Sequence, residues 1–503
     1  RQHDLWMRHQ RYVLQEDHVE ETRSSHRHAM ELIDEPKLDN PNSRNHVESP
    51  EEHRSVDLAS SSTHYIPKEK VLEQEDDGVD NHSLEPTVYE LIVGEGEETS
   101  GLPTAIEGDD QLKSRILDIC KTYNDIFSTT LRPAAALIPP MELEVDINKW
   151  RVPRNQRGPR LQSLVRQEEI RRQVDEMLAA GVLQTSSASE CSQVLLIPKP
   201  NGKFRFVVDF RSLNLCTKAR SWPIPHIPSM LERLGSARAK YFAVMDLTSG
   251  YHQAPLAEAS RSFTAITTCC GNYEYCRVPM GLTGAPAYFQ QMMSTVVLKG
   301  LLYKVCEVYL DDIIIPAATR DDLIERLGLV FERFRKFRLT LNPTKCKFGV
   351  SQVEYVGHVI DSTGMTFARE KLQEVVEFPQ PRTVRQLQTF LGLANYFRDH
   401  IQHHSLIAKP LYDLANSSSK TRRLVWTDET TASFHELCAA VNQCPKLFFL
   451  QVDAKIILCT DACDYGIGAY VCQQQGDKEI PVRFLSQTFS KAQRKWSTIE
   501  KEA

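Results

Sequence analysis

The chain lacks any apolar run approaching the roughly eighteen residues that a membrane-crossing helix requires, and its amino end lacks the apolar core of a secretory leader. A membrane partner is therefore not expected. A cysteine framework is missing too. The thirteen cysteines are odd in number and irregularly spaced, which suits a reducing, intracellular compartment and free thiols. Cys269, Cys270, Cys459 and Cys463 read as packing residues. The first hundred residues are short of aromatics and of sustained periodicity. Such a segment cannot bury enough apolar area to offset the entropy of ordering, so residues 1–110 are expected to be an acidic, largely disordered linker. Nine histidines are scattered through the first hundred, but without cysteine partners they make no zinc pattern.

Charge is divided unevenly. Residues 1–100 hold 10 Lys and Arg against 24 Asp and Glu, a net of −14, and the remainder holds 50 against 42, a net of +8. A mildly basic body suits a polyanionic partner, because phosphate contacts with Lys and Arg supply most non-specific affinity for nucleic acid. An ordinary solvated surface carries as much. The 503 residues are enough for several domains.

The most informative segment is Tyr309-Leu310-Asp311-Asp312, set between the apolar runs 305–308 and 313–315. The flanks predict two short strands and the tetrad predicts the tip of a hairpin. Two adjacent carboxylates at a turn raise each other's pKa unless a cation neutralises them, and a divalent metal is the simplest such cation. The turn is also unusual, since tight hairpins favour Asn-Gly or Asp-Gly and here Leu leads. Local rules that fail in this way often mark function. A second apolar strand, 241–245, ends in Asp246, 311 − 246 = 65 positions earlier. If the two strands are neighbours in one sheet, three carboxylates converge as a two-Mg²⁺ phosphoryl-transfer site requires.

Other elements follow from periodicity and turn chemistry. Helices are expected over 111–127 and over 163–180, the second stopped by Gly181. Strands at 193–197 and 203–209 flank the turn Pro200-Asn201-Gly202. Apolar residues recur at helical spacing between Lys371 and Asn416. Helix and paired strands in alternation indicate an α+β body.

Five ordered segments carry a resemblance: LIPKPNGKFRFVVDFRSLN (196–214), FAVMDLTSGYHQAPL (242–256), RVPMGLTGAPAYFQ (277–290), VYLDD (308–312) and LNPTKCKFGVSQVEYVGHVI (341–360). Their order and spacing resemble reverse transcriptases, most nearly those in the Pol polyprotein of gypsy-type long-terminal-repeat retrotransposons. The likeness spans about four fifths of the chain, from roughly residue 110 to the end. It implies a right-hand polymerase with fingers and palm over 111–362, a thumb over 363–416 and a connection over 417–453. A truncated RNase H-like α/β domain is implied over 454–503.

The resemblance also assigns roles. Asp246 and Asp311 would hold two Mg²⁺ ions, with Mn²⁺ a workable substitute, and Asp312 would sit beside them. Lys199 and Arg205 match fingers residues that close over a triphosphate, although relatives often show several lysines where Lys199 stands alone between prolines. Tyr251 falls where the family places a ring beneath the nucleotide sugar, excluding a 2′-hydroxyl. Gly281, Gly284 and Pro286 give a bend that approaches template base or nucleotide, before a helix expected to start near Ala287. Relatives commonly carry Phe for Met280 and Asn for Gly284, so packing details there do not transfer. Lys345 matches a proposed general acid for pyrophosphate, and Tyr355, Val356 and Gly357 match the primer-grip turn. Arg382, Arg385 and Arg398 lie in the thumb segment, within reach of duplex phosphates or as plain surface charges.

In the last segment Thr460-Asp461 after an apolar run resembles the opening hairpin of RNase H, with Asp461 its first metal-binding carboxylate. STIEKEA matches the helix bearing the second, assigned to Glu502 over Glu500. Because the fold needs further carboxylates, RNase H activity is expected only in the full-length polyprotein. The sequence opens on Arg1 and stops in mid-motif, as a piece of such a polyprotein would. The near-motif Asp361-Ser362-Thr363-Gly364 has one residue too many for an aspartic protease and reads as a turn.

The leading expectation is thus an RNA-directed DNA polymerase acting on RNA and DNA template-primer with dNTPs. Protease and integrase products would be its polyprotein partners. It would work in a cytoplasmic retroelement particle with access to the nucleus. A viral RNA-copying polymerase shares the palm but is opposed by Tyr251 and the RNase H start. A non-catalytic nucleic-acid-binding remnant is opposed by the survival of all three aspartates.

Overall fold

The computed structural model describes residues 10–14, 101–198, 202, 204–417, 423–451 and 453–502. Most of the linker expected over 1–110 lies outside the described residues, as do Lys199 and the Pro200-Asn201 turn. The chain divides into two compact units at Lys371/Leu372.

The first unit is built on three antiparallel or mixed sheets among the described residues. The central one runs Ala105–Ile106, Lys347–Val350, Tyr241–Asp246, Asp312–Ala317, Glu307–Tyr309 in spatial order. Its middle strand is apolar because both neighbours and the layers above and below bury it, with Phe242, Ala243 and Met245 inaccessible. Helices Asp110–Thr122 and Arg320–Phe337 cover it through Leu112, Ile116, Leu323, Leu327, Phe331 and Phe334, residues at helical spacing that form one apolar stripe. Phe331 stands edge-on to Phe127 and Phe348, with ring centroids 5.5 and 5.9 Å away. At the Lys347–Val350 bulge Gly349 holds φ +72, and a Cβ there would lie 2.5 Å from the Glu107 carbonyl, so only glycine fits.

The second sheet orders Leu183–Thr185, Gly271–Tyr275, Ile266–Thr268, Ser192–Pro198, Phe204–Asp209, and helix Leu164–Ala179 lies in the same core through Ile170, Val174 and Met177. The third is the meander Gln352–Tyr355, His358–Asp361, Gly364–Phe367.

The second unit, from Leu372 onward, holds helices Val384–Asn395, His404–Ser417 and Asp428–Asn442, the first and third opened by capping boxes at Thr383 and Thr427. Phe390 and Phe434 pack at 4.7 Å. Its sheet joins Ile456–Ala462, Gly466–Gln475 and Lys478–Thr488 in antiparallel order, with Gln10–Leu14 added along the free edge of Ile456–Ala462.

The α+β expectation holds. Several local expectations need correction. The first helix ends at Thr122, not 127, because the chain tightens into a 3₁₀ turn at Asn124–Ile126. The helix expected near Ala287 starts at Ala285, since Pro286 lacks an N–H and is tolerated in a first turn, where that donor has no partner. Cys269 is exposed at the turn between two strands, its Sγ 3.7 Å from Gln167 O, whereas Cys459 is buried. The expected linker ends before Ala105–Ile106, which enters the central sheet, and Gln10–Leu14 also forms a strand, an exposed edge being a ready template for pairing. The division drawn at 362/363 falls inside the hairpin joining His358–Asp361 to Gly364–Phe367. The Asp361 side chain accepts from Thr363 N and Gly364 N at 2.8 and 3.1 Å, as a turn does.

Candidate active site

Strand Tyr241–Asp246, the middle one of the central sheet, ends on Asp246. Beyond it the chain is tied to the segment before Lys345, with Asn342 N donating to Asp246 O at 2.9 Å and Thr248 N to Thr340 O at 3.0 Å. It then turns through Ser249, φ 49, into the short helix Gly250–Gln253. Gln253 locks that turn, donating to Thr248 O and Thr340 O at 2.8 Å each and accepting from Thr340 N at 2.7 Å.

The expected hairpin is present. Tyr309 and Asp312 are Cα partners, so Leu310-Asp311 is a two-residue loop, with Leu310 at φ 57. A branched side chain in that left-handed region costs on the order of 1–2 kcal/mol, and surrounding contacts must hold it there. Gln290, 1 % exposed, supplies them: its Oε1 accepts from Leu310 N at 2.7 Å and its Nε2 donates to Val308 O at 3.3 Å. Gly250 lets the loop come close, since a Cβ there would stand 3.3 Å from Asp311 Cβ.

Asp312 lies directly across from Asp246 in the ladder, with Ile313 opposite Met245 and Ile314 opposite Val244. Directly opposed residues share a face of the sheet and are near neighbours. Asp311 occupies the adjoining loop. Behind them Tyr355, buried in the meander, donates its hydroxyl to Asp312 O at 3.2 Å. Tyr355 precedes a Val356-Gly357 loop with both residues at positive φ, 49 and 77, which is the type I′ signature.

The electrostatics are strained in one direction. Burial raises the pKa of Asp311 and the charge of Asp246 raises it further. Burial, reinforced by Asp311 and Asp246, pushes Asp312 up to about 7. Burial raises Asp246 as well, opposed by Lys345, whose Nζ stands 3.5 Å from both Asp246 carboxylate oxygens. One ammonium faces three carboxylates. Such a donor set fits a hard divalent cation. Among the described residues no three His, Cys, Asp or Glu side chains close into a ready-made cage.

The structure thus brings together Asp246, Asp311, Asp312 and Lys345, with Tyr355 and its turn adjacent. Tyr251, 3 % exposed, lies in the Gly250–Gln253 turn with its ring 5.2 Å from that of Phe289. Gly281 and Gly284 hold φ 89 and 84 in a bend pinned by Asn214, which donates to Gly281 O and accepts from Thr283 N. Arg205 sits in strand Phe204–Asp209 of the second sheet, paired with Ile197 and 8 % exposed. Asp461 belongs to the other unit, opposite Gly468, in a hollow also lined by His403, Cys459 and Tyr470. Glu500 is spent on a cap: its Oε2 accepts from Ser497 N at 2.7 Å. The Glu502 side chain lies outside the described residues. Arg398 donates to Ser486 O within its own unit.

Sequence reasoning passed over Gln290, Gly250 and Arg277. The available signal was a buried amide on the apolar face of a helix, for Gln290, and a glycine next to an aromatic after an aspartate, for Gly250.

A right-hand polymerase palm carrying paired aspartates defines the class, and known proteins place the chain within it. Residues 197–360 match the family described as reverse transcriptase (RNA-dependent DNA polymerase), and residues 426–503 match the RNase H-like domain found in reverse transcriptase. That second match begins inside the segment expected to be a connection. The retrovirus-related Pol polyprotein from transposon opus of Drosophila melanogaster is 36% identical over 347 residues, 66% of this chain and 34% of that protein. The one from transposon 412 of the same organism is 30% identical over 397 residues, 78% of this chain and 31% of that protein. The chain therefore spans about a third of the length of these curated relatives. The foamy viral protease-reverse transcriptase, solved in complex with dsDNA, shares the fold with a TM-score of 0.68 at 24% identity, covering 81% of this chain and 85% of that one. The chain belongs to the reverse transcriptases, joined to their RNase H-like domain, and within them it falls with the Pol polyproteins of long-terminal-repeat retrotransposons.

Proposed function

We propose that this chain is an RNA-directed DNA polymerase that extends a primer 3′-hydroxyl with dNTPs on an RNA or DNA template. The single observation that carries the reading is the register of the central sheet, with Asp312 opposite Asp246 and Asp311 in the loop beside them.

In this reading Asp246 and Asp311 hold two Mg²⁺ ions, or Mn²⁺, and Asp312 adds negative field at their side. The bound cations supply a lowered pKa for the primer hydroxyl and charge neutralisation for the departing pyrophosphate. Lys345, 3.5 Å from the Asp246 carboxylate, balances its charge before substrate arrives and then gives a proton to pyrophosphate. Arg205, with Lys199, neutralises triphosphate charge. Tyr251 excludes a 2′-hydroxyl by its bulk. Gly281, Gly284 and Pro286 shape the nucleotide and template bend, and Tyr355, Val356 and Gly357 steady the primer end. Asp461 and Glu502 contribute to the RNase H-like site. Template-primer, dNTPs, and the protease and integrase products of the same polyprotein are the partners. The setting is a cytoplasmic particle with access to the nucleus.

Primer extension on an RNA template with Mg²⁺ and dNTPs tests this, comparing the chain with Asp311→Asn. The expected outcome is extension by the former and a loss of roughly a thousandfold or more in the latter, the scale on which removing a charge-stabilising group acts. Equal signals from both would sink the proposal.

A further inference from the structure

Arg277 is 2 % exposed, yet no carboxylate meets it among the contacts of its guanidinium. Its donors go to five main-chain carbonyls. Nε reaches Gly181 O at 3.3 Å, Nη1 reaches His252 O at 3.1 Å, and Nη2 reaches Arg132 O, Pro133 O and Ala180 O at 2.9, 2.6 and 3.3 Å. A buried cation is costly unless each donor is satisfied, and here carbonyl dipoles do the work of a counter-ion. Two of them, on Ala180 and Gly181, follow the last turn of helix Leu164–Ala179, where the helix dipole is negative and favours a cation.

These five carbonyls come from three separate places. Arg132 and Pro133 lie in the segment that follows helix Asp110–Thr122, Ala180 and Gly181 end the helix beside the second sheet, and His252 directly follows Tyr251. The main chain of Arg277 is stitched to the same neighbourhood, forming a bridge with Pro255, while Val278 N donates to Ala254 O at 3.0 Å. The Gly250–Gln253 turn is therefore gripped from two sides. Gln253 ties it to Thr340 near the aspartates, and Arg277 ties it to the end of Leu164–Ala179.

We propose that Arg277 is a positioning residue for the nucleotide site, holding the Gly250–Gln253 turn, and with it the Tyr251 ring, at a fixed height against the carbonyl end of helix Leu164–Ala179. This rests on the reading of Tyr251 as the group that senses the nucleotide sugar. Arg277 touches no reacting atom. Its effect is on how sharply the ring discriminates, since a displacement of about 1 Å at a positioning group changes reaction rates by as much as a hundredfold.

The experiment measures kcat and KM for a dNTP and the matching rNTP with the full chain, in Arg277→Lys, Gly181→Ala and Tyr251→Val. Lysine keeps the charge but offers three donors from one nitrogen, so it cannot span the five carbonyls. Gly181→Ala disturbs the same cage from the other side, because Gly181 holds φ +64 and a Cβ there would lie 3.1 Å from Pro133 O. The expected result is a fall of about tenfold in the dNTP-to-rNTP ratio of kcat/KM in Arg277→Lys, and a smaller fall in Gly181→Ala. Neither should add to the loss in a Tyr251→Val background. A purely structural role would lower the active fraction and scale both nucleotides alike, and an unchanged ratio in Arg277→Lys alongside a fallen one in Tyr251→Val would overturn the proposal. Should Arg277→Lys not fold, the Gly181→Ala ratio decides in the same way. An unchanged ratio in Tyr251→Val sinks the sugar-sensing reading itself, and the positioning role with it.

Discussion

The side chain of Gln290 accepts a hydrogen bond from the main-chain N–H of Leu310 at 2.7 Å, and the same amide donates to Val308 O. A residue twenty positions upstream thus holds the aspartate loop in a backbone conformation that leucine does not favour.

Replacing Gln290 with Leu keeps the volume and removes both bonds. It should leave the fold intact at a cost of about 1–3 kcal/mol and lower primer-extension kcat by about tenfold or more with little change in KM, because the loss is one of aspartate placement. Thermal unfolding and steady-state extension together check this, and an unchanged kcat would mean the loop holds itself.

Asp312 makes stability depend on pH in a direction opposite to most carboxylates. Its folded pKa is about 7 against an ordinary 3.8, so the folded chain keeps a proton that the unfolded chain loses as pH rises between those values. Its contribution is fully present below pH 3.8 and is lost as pH climbs through 7. In EDTA, Asp312→Asn should raise the Tm at pH 8 by the equivalent of ~2 kcal/mol and change it little at pH 4. Mg²⁺ should raise the Tm of the unaltered chain at pH 8 more than that of the variant.

Three buried histidines act the other way. Burial holds His252, His400 and His404 at about 4, well under the usual 6.5. Between those values the unfolded chain binds more protons, so stability is present above pH 6.5 and drains away as acid is added toward pH 4. Hydrogen exchange at pH 5 should show helices Val384–Asn395, His404–Ser417 and Asp428–Asn442 opening more readily than at pH 7, and His404→Gln should flatten that difference.

Gly349→Ala should cost about 2–4 kcal/mol, since the new methyl meets the Glu107 carbonyl at 2.5 Å in a left-handed conformation and backbone must move. Denaturant unfolding measures it. A loss under about 0.5 kcal/mol would show that the bulge is pliant.

Much of this was legible beforehand because it is local. The apolar runs around Asp311-Asp312 and before Asp246 are strands since they alternate with turns and are buried on both faces. The Gly181 stop and the Asp361 turn each express a short-range rule about φ or hydrogen bonding, whereas the turn at Val356-Gly357 was expected from the resemblance alone. Glu500 could have been recognised as a cap from Ser497 three residues earlier. Where the reading slipped, at Thr122, Ala285 and Cys269, the error lay at element ends and in exposure, where neighbouring turns compete with periodicity.

By itself the sequence determined which residues carry charge, which segments are apolar enough to be buried, and in what order five motifs follow one another. Only the tertiary structure decided that Asp246 faces Asp312 across a ladder, that Gln290 grips a loop, and that Arg277 finds five carbonyls from three distant places. Those pairings depend on strand register and on side chains meeting through space, and a change of one residue in the register of Asp312–Ala317 would send Asp312 to the opposite face of the sheet from Asp246.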